Sequence, residues 1–195
     1  MLNQQILSIN KDTTGLLIID VQGELARLVQ ESDSLIAHCL ALVEAAKTLA
    51  LPIVWVEQNP DKLGKTTPEL QAALTPHQPL AKWTFDASAE PAVVEALNQS
   101  ARTQWLVCGI EAHICVYQTV LGLKRLGWEP HLVVDATSSR TMSNKQLAVD
   151  KIALSGIALT SVEMALYELV KDCRDPDFKA LLNLVKSLSN RQSSR

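Results

Sequence analysis

Apolar positions in this chain of 195 residues fall into short unbroken runs separated by longer amphipathic stretches. Six runs are continuously apolar or β-branched: residues 14–20 (TGLLIID), 51–57 (LPIVWVE), 79–83 (PLAKW), 104–109 (QWLVCG), 131–136 (HLVVDA) and 156–161 (GIALTS). Continuous rather than alternating hydrophobicity predicts strands covered on both faces, the habit of parallel sheets. Between them, helical patterns cover 34–49, 89–98, 116–126, 145–154 and 162–170; in the first, Leu35, Ile36, Cys39, Leu42, Val43 and Ala46 supply the apolar positions. A last helix is expected over 177–188 after Pro176, followed by a polar tail, SNRQSSR, likened to other frayed termini. Strands alternating with helices predict an α/β fold of three layers, α/β/α, around a doubly wound six-stranded parallel sheet with right-handed crossovers. No linker, repeat or low-complexity block divides the chain. A single domain over 1–195 is therefore expected, with its core at 14–170 and a C-terminal helix and tail at 176–195.

In such a sheet ligands bind outside the carboxyl ends of the strands, so the residues there carry the functional question. The first run ends in Asp20, followed by Gln22; the second ends in Glu57 and Gln58; the third places Lys82 and Trp83; the fourth leads through Ile110, Glu111 and His113 to Cys115; the fifth ends at Asp135. The stretch at 102–127 is read as buried strand, tight elbow and helix, with Cys115 opening the helix. Unpaired amides and the positive end of the helix dipole there favour a thiolate and can receive an oxyanion. Taken together, Asp20, Lys82 and Cys115 make a coherent charge scheme. Lys82 stabilises the thiolate, Asp20 takes the thiol proton and later returns it, and backbone amides hold the oxyanion.

Composition narrows the field. The net charge of −3, with no basic cluster denser than Lys124 and Arg125, argues against nucleic acid or an anionic membrane as main partner and favours a small molecule. The longest apolar runs fall far short of the roughly 18 to 20 residues of a membrane span. Residues 1–14 are mostly polar and offer no secretory signal. Cys39, Cys108, Cys115 and Cys173 have no C-x-x-C spacing and read as reduced thiols, so a cytoplasmic setting is expected. The stretch LGKTT at 63–67 imitates a phosphate loop, but Asn59 stands where its first glycine is needed. No dinucleotide fingerprint follows any strand.

The residues at these strand ends resemble the isochorismatase-like, or cysteine hydrolase, superfamily, and within it the branch of isochorismatase domain-containing and YcaC-type proteins. The likeness runs over about 14–169 and rests on LLIIDVQ, EQNPDKLGKTTPEL, KWTFDA, GIEAHICVYQTVLGL and VVDATSSR. It implies an Asp, Lys, Cys triad falling on Asp20, Lys82 and Cys115, and a non-proline cis peptide between Ile110 and Glu111. It also implies an amide-like or related acyl substrate, cleaved through a thioester on Cys115, and a homo-oligomer, dimer or higher. The amides of Glu111 or its neighbour and of Cys115 are expected to form the oxyanion site. Gln22, Gln58, Trp83, Glu111 and His113 are expected to line the pocket.

Departures from other branches matter as much. Nicotinamidases of the superfamily carry one Asp and two His as metal ligands after the second strand, a region that here reads EQNPDKLGKTTPEL. The histidines at 38, 77, 113 and 131 show no ligand spacing, so neither a metal nor another cofactor is expected. Isochorismatases proper cleave a vinyl ether and can work without the cysteine, which keeps ether hydrolysis as the alternative. A non-catalytic binding protein, or a thiol sensor pairing Cys115 with Cys108, is the alternative from another class.

Overall fold

The computed structural model describes residues 8–193. Six strands form one sheet: β1 (Thr14–Ile19), β2 (Ile53–Gln58), β3 (Leu80–Lys82), β4 (Gln104–Gly109), β5 (Glu129–Thr137) and β6 (Ala158–Thr160). All neighbours are parallel, in the order β3-β2-β1-β4-β5-β6. The expected α/β architecture is thus observed. β1 and β4 are buried at every position, as their unbroken apolar runs require.

Side chains alternate between two cores, because successive strand residues point to opposite faces. Leu16, Ile18, Leu106 and Cys108 enter one core, covered by α2 (Ser32–Thr48), α4 (Pro68–Leu74), α8 (Val162–Val170) and α9 (Phe178–Ser193). Leu17, Ile19, Trp105 and Val107 enter the other, covered by α5 (Pro91–Gln99), α6 (Tyr117–Arg125) and α7 (Met142–Leu154). The sheet reverses its winding direction between β1 and β4, which places the crevice at the ends of those two strands.

The structure adds elements that the periodicity does not reveal. Two single-turn helices, α1 (Leu25–Leu28) and α3 (Pro60–Leu63), lie in the loops after β1 and β2, and α4 follows them. A 3₁₀ turn spans Ala87–Ala89, and a π-helical turn, Ala112–Val116, precedes α6. The tail expected to fray is helical as far as Ser193, with the Ser189 hydroxyl donating to the carbonyl of Val185 at 3.2 Å. Among the described residues no helix is long and apolar enough to cross a membrane.

Candidate active site

β1 stops at Asp20 because the backbone there turns to φ 52°, a left-handed conformation that Asp tolerates better than most residues. The Asp20 amide still donates to the carbonyl of Val56 at 3.2 Å, so the carboxylate is delivered from a fixed point at the strand end. Lys82 closes β3, two strands away, and pairs in register with Gln58 of β2. At about 4.8 Å per strand its ammonium has roughly 10 Å to cross, which demands a long, extended side chain. Its Nζ lies 2.8 Å from Asp20 Oδ2 and donates to Gln58 Oε1 at 2.6 Å and to the carbonyl of Thr84 at 3.2 Å. The lysine is fully buried and the aspartate nearly so, with side-chain exposures of 0% and 3%. Such a pair survives out of water only because the ammonium has a partner for each proton.

Cys115 arrives from the other side of the crevice. β4 ends at Gly109, whose φ is 118° and where a β-carbon would stand 2.0 Å from the carbonyl oxygen of Ile19; only glycine lets the elbow pass so close to β1. The Ile110 amide donates to that same carbonyl at 2.9 Å, and the peptide between Ile110 and Glu111 is cis. Cys115 does not open a regular helix, as the sequence suggests, but sits inside the π-helical turn. The wider turn gives the carbonyl of Glu111 to the amides of Ile114 (3.0 Å) and Val116 (3.2 Å), while the amide of Ala112 goes to Ser138 (2.8 Å). In an α-helical turn the amide of Cys115 would take the Glu111 carbonyl. Here that carbonyl goes to Ile114 and Val116 instead.

The Cys115 thiol lies in the field of both Asp20 and Lys82, and, the ion pair with Lys82 aside, the two oxygens of the Asp20 carboxylate are buried without a hydrogen-bond partner. Burial, reinforced by the negative charge of Asp20, pushes the thiol up to about 12, and Lys82 only partly offsets this. The resting group is therefore a thiol, not the thiolate expected from the charge scheme; desolvation outweighs the ammonium. Burial also raises Asp20 above the usual carboxylate range, against the pull of Lys82 and Cys115, which makes it a stronger base than a solvated carboxylate.

Of the other expected site residues, several prove to be struts. Gln22 donates to the carbonyls of Gln58 (3.1 Å) and Gly64 (2.6 Å) and accepts from the amide of Gln58 at 2.7 Å, which uses both of its N–H groups. Gln58 is committed to Lys82 and to the carbonyl of Trp83, at 2.9 Å. The carboxylate of Glu111 is taken by Arg140, whose amide donates at 2.9 Å and whose Nε lies 3.2 Å away. These three also brace neighbouring segments, beside the expected role of lining the pocket. His113 is half-buried with Nδ1 3.0 Å from the Ser139 hydroxyl, at the elbow. Trp83 is 66% exposed, and Leu28, Leu63, Phe85 and Met142, in the segments that follow β1, β2, β3 and β5, are exposed apolar side chains too; the five are together termed the collar. That collar was not foreseen; its only signal is apolar residues in segments otherwise polar. Among the described residues, no group of three or more His, Cys, Asp and Glu side chains is arranged to hold a metal ion.

Comparison with known proteins gives a match to the isochorismatase domain over residues 14–164. A secreted isochorismatase effector, Isc1, of Phytophthora sojae is 37% identical over 88% of this chain and 83% of its own length. Isochorismatase domain-containing protein 2 of Bos taurus is 36% identical over 89% of this chain and 83% of its own. Among solved structures, MAR1 ribonuclease from Caenorhabditis elegans superposes with a TM-score of 0.86 at 31% identity, covering 92% of each chain. The ycaC gene product of Escherichia coli, an octameric hydrolase of unknown specificity, superposes with a TM-score of 0.88 at 24% identity, covering 98% of each.

Proposed function

The chain belongs to the isochorismatase family, and from that premise we propose that it is a cysteine hydrolase in which Asp20, Lys82 and Cys115 cleave an amide-like or related acyl bond of a small molecule. The observation that carries this reading is the meeting of all three side chains in one buried cluster, with Lys82 Nζ 2.8 Å from Asp20 Oδ2 and the thiol in the field of both charges. A protein using the fold only to bind has no need to bury an ion pair beside a thiol.

The resting thiol sets the order of events. Asp20 accepts the Sγ proton as Sγ attacks the carbonyl carbon, so the thiolate is consumed as it forms. Negative charge moves to the carbonyl oxygen, where the amides of Glu111 and Cys115 receive it. Collapse of the tetrahedral intermediate breaks the C–N bond, and the amine leaves with the proton held by Asp20. Water then gives a proton to Asp20 and its hydroxide attacks the thioester; Sγ departs and regains that proton. Lys82 keeps Asp20 ionised between steps and moderates the charge on sulfur.

The apolar collar and the net charge of −3 suit a small, weakly charged substrate better than a polyanion. The ribonuclease name of the nematode relative is accordingly not carried over. The collar, and the octamer formed by the ycaC product, support a homo-oligomer in which these side chains are covered. The four cysteines are unpaired, in keeping with a cytoplasmic location, although the Phytophthora relative is secreted. The test is release of ammonia or amine from a panel of small amides. Turnover lost in Cys115→Ala and Asp20→Asn with folding retained supports the reading. Turnover surviving in Cys115→Ala contradicts it and favours ether cleavage.

A further inference from the structure

Lys82 takes one of its three contacts from outside the strand ends: the carbonyl of Thr84, 3.2 Å from Nζ. That carbonyl sits in a segment held by polar contacts: Gln58 Nε2 donates to the Trp83 carbonyl at 2.9 Å and the Thr84 hydroxyl to the Asp86 carbonyl at 2.8 Å. Trp83 and Phe85, on either side of Thr84, are 66% and 54% exposed, so hydrophobic burial does not fix the loop. Glu90 adds the three bonds that fix the loop's amides and the Thr84 hydroxyl. Its Oε1 accepts from the amide of Trp83 at 2.8 Å, the amide of Thr84 at 2.9 Å and the hydroxyl of Thr84 at 2.9 Å.

The position of Glu90 makes this use of its carboxylate informative. Glu90 is the N-cap of α5, where a side chain ordinarily accepts from the first turn of its own helix. Glu90 makes no such cap bond and reaches back across the loop instead. Further along, the same loop is pinned to the nucleophile's helix. The amide of Ala87 donates to the buried Thr119 hydroxyl at 2.9 Å, and a β-carbon at Gly122 would stand 2.0 Å from Ser88 Oγ. With both ends tied, the carbonyl of Thr84 has one place to point.

We propose that Glu90 is a positioning residue for the reaction: by clamping the amides of Trp83 and Thr84 it holds the Thr84 carbonyl against Lys82, and so keeps the ammonium over Asp20 and Cys115. This rests on the Asp20, Lys82, Cys115 reading. Without the clamp the loop keeps its bonds to Gln58, Asp86 and Thr119, but the Thr84 amide and hydroxyl lose their carboxylate, the Thr84 carbonyl is held less firmly against the ammonium, and the moderating effect of Lys82 on the thiol weakens.

The test is the rate of Cys115 alkylation by iodoacetamide at pH 8, followed peptide by peptide in the mass spectrometer. Glu90→Ala and Glu90→Gln are compared in the wild-type and Lys82→Met backgrounds, with thermal unfolding recorded for each. Lys82→Met is expected to slow alkylation about tenfold, one pK unit, and Glu90→Ala about threefold. Glu90→Gln keeps the acceptor oxygen and is expected to remain within about twofold of wild type. In the Lys82→Met background, Glu90→Ala should change nothing further. If Glu90→Ala does not fold, Glu90→Asp, one methylene short of the loop amides, carries the same expectation. A wild-type rate in Glu90→Ala, equal slowing in both backgrounds, or a Gln variant as slow as Ala overturns the proposal. A wild-type rate in Lys82→Met removes the lysine from the underlying reading itself.

Discussion

Cys108 and Cys115 lie seven residues apart in sequence, are both buried, and face different worlds. Cys108 points into the core beneath α2, where it is fully buried in the same cluster as Cys39, which donates to the carbonyl of Ala136 at 3.6 Å. Cys115 points into the core on the other face of the sheet, at its carboxyl edge, between Asp20 and Lys82. Both thiols are pushed up, Cys108 by its neighbour Cys39 and by burial, Cys115 by burial and by Asp20. Burial alone therefore makes an inert thiol. What separates the two is the buried Asp20–Lys82 ion pair beside Cys115, which the proposed function uses as base and counter-ion. The opposite faces also separate Cys108 from Cys115 as partners for a disulfide, which weakens the thiol-sensor alternative.

The comparison breaks first at the nucleophile. Cys115→Ser should lower amide turnover by at least about a thousandfold while the protein stays folded. Cys108→Ala should leave turnover within about threefold and cost about 1 kcal/mol of stability, seen in denaturant unfolding, as the small void left behind requires. Comparable losses of turnover in both variants would erase the distinction drawn between the two thiols.

Next comes the ion pair. Lys82→Met leaves the Asp20 carboxylate buried and unpaired, so about 3 to 5 kcal/mol of stability should be lost in equilibrium unfolding, and turnover with it. The double variant Asp20→Asn with Lys82→Met should recover most of that stability and remain inactive. A double variant as unstable as the single one would mean that the pair supports the fold in some other way.

A smaller and more graded effect is expected from pH. With the thiol pushed up to about 12, alkylation of folded Cys115 should rise about tenfold per unit from pH 7 to 10 without a plateau. Cys108 should stay unlabelled until the protein unfolds. The linkage has one sign for both groups: the folded thiols keep protons that the unfolded chain releases near the ordinary value of 9.0, so stability falls as pH rises above about 9. Cys115→Ala should flatten that fall.

The strands were legible as unbroken apolar runs and the large helices by their period, and the approach of Asp20 and Lys82 was legible because the unbroken strands fix where their carboxyl ends lie. What stayed hidden is local. The helix α4 is announced by Pro68 at its first turn and by Leu70 and Leu74, four apart and both fully buried, yet its seven residues are too few for periodicity to stand out. The π-helical turn around Cys115 has no pattern of its own. Gln22, Gln58 and Glu111 have the chemistry of substrate contacts, and only the partners supplied by distant segments show that they also brace neighbouring segments. The thiol's protonation was misjudged because the sequence displays the ammonium but not the degree of burial that outweighs it.

The most direct test of the account is capture of the acyl-enzyme. The wild-type protein and its Asp20→Asn variant are exposed to p-nitrophenyl acetate, quenched in acid and digested, and each cysteine peptide is weighed. The account predicts a burst of p-nitrophenolate from the wild type and an acetyl group on the Cys115 peptide, with the Cys39 and Cys108 peptides unmodified and the burst absent in Asp20→Asn. Turnover without acylation of Cys115, or acetyl groups spread evenly over the cysteines, would contradict it.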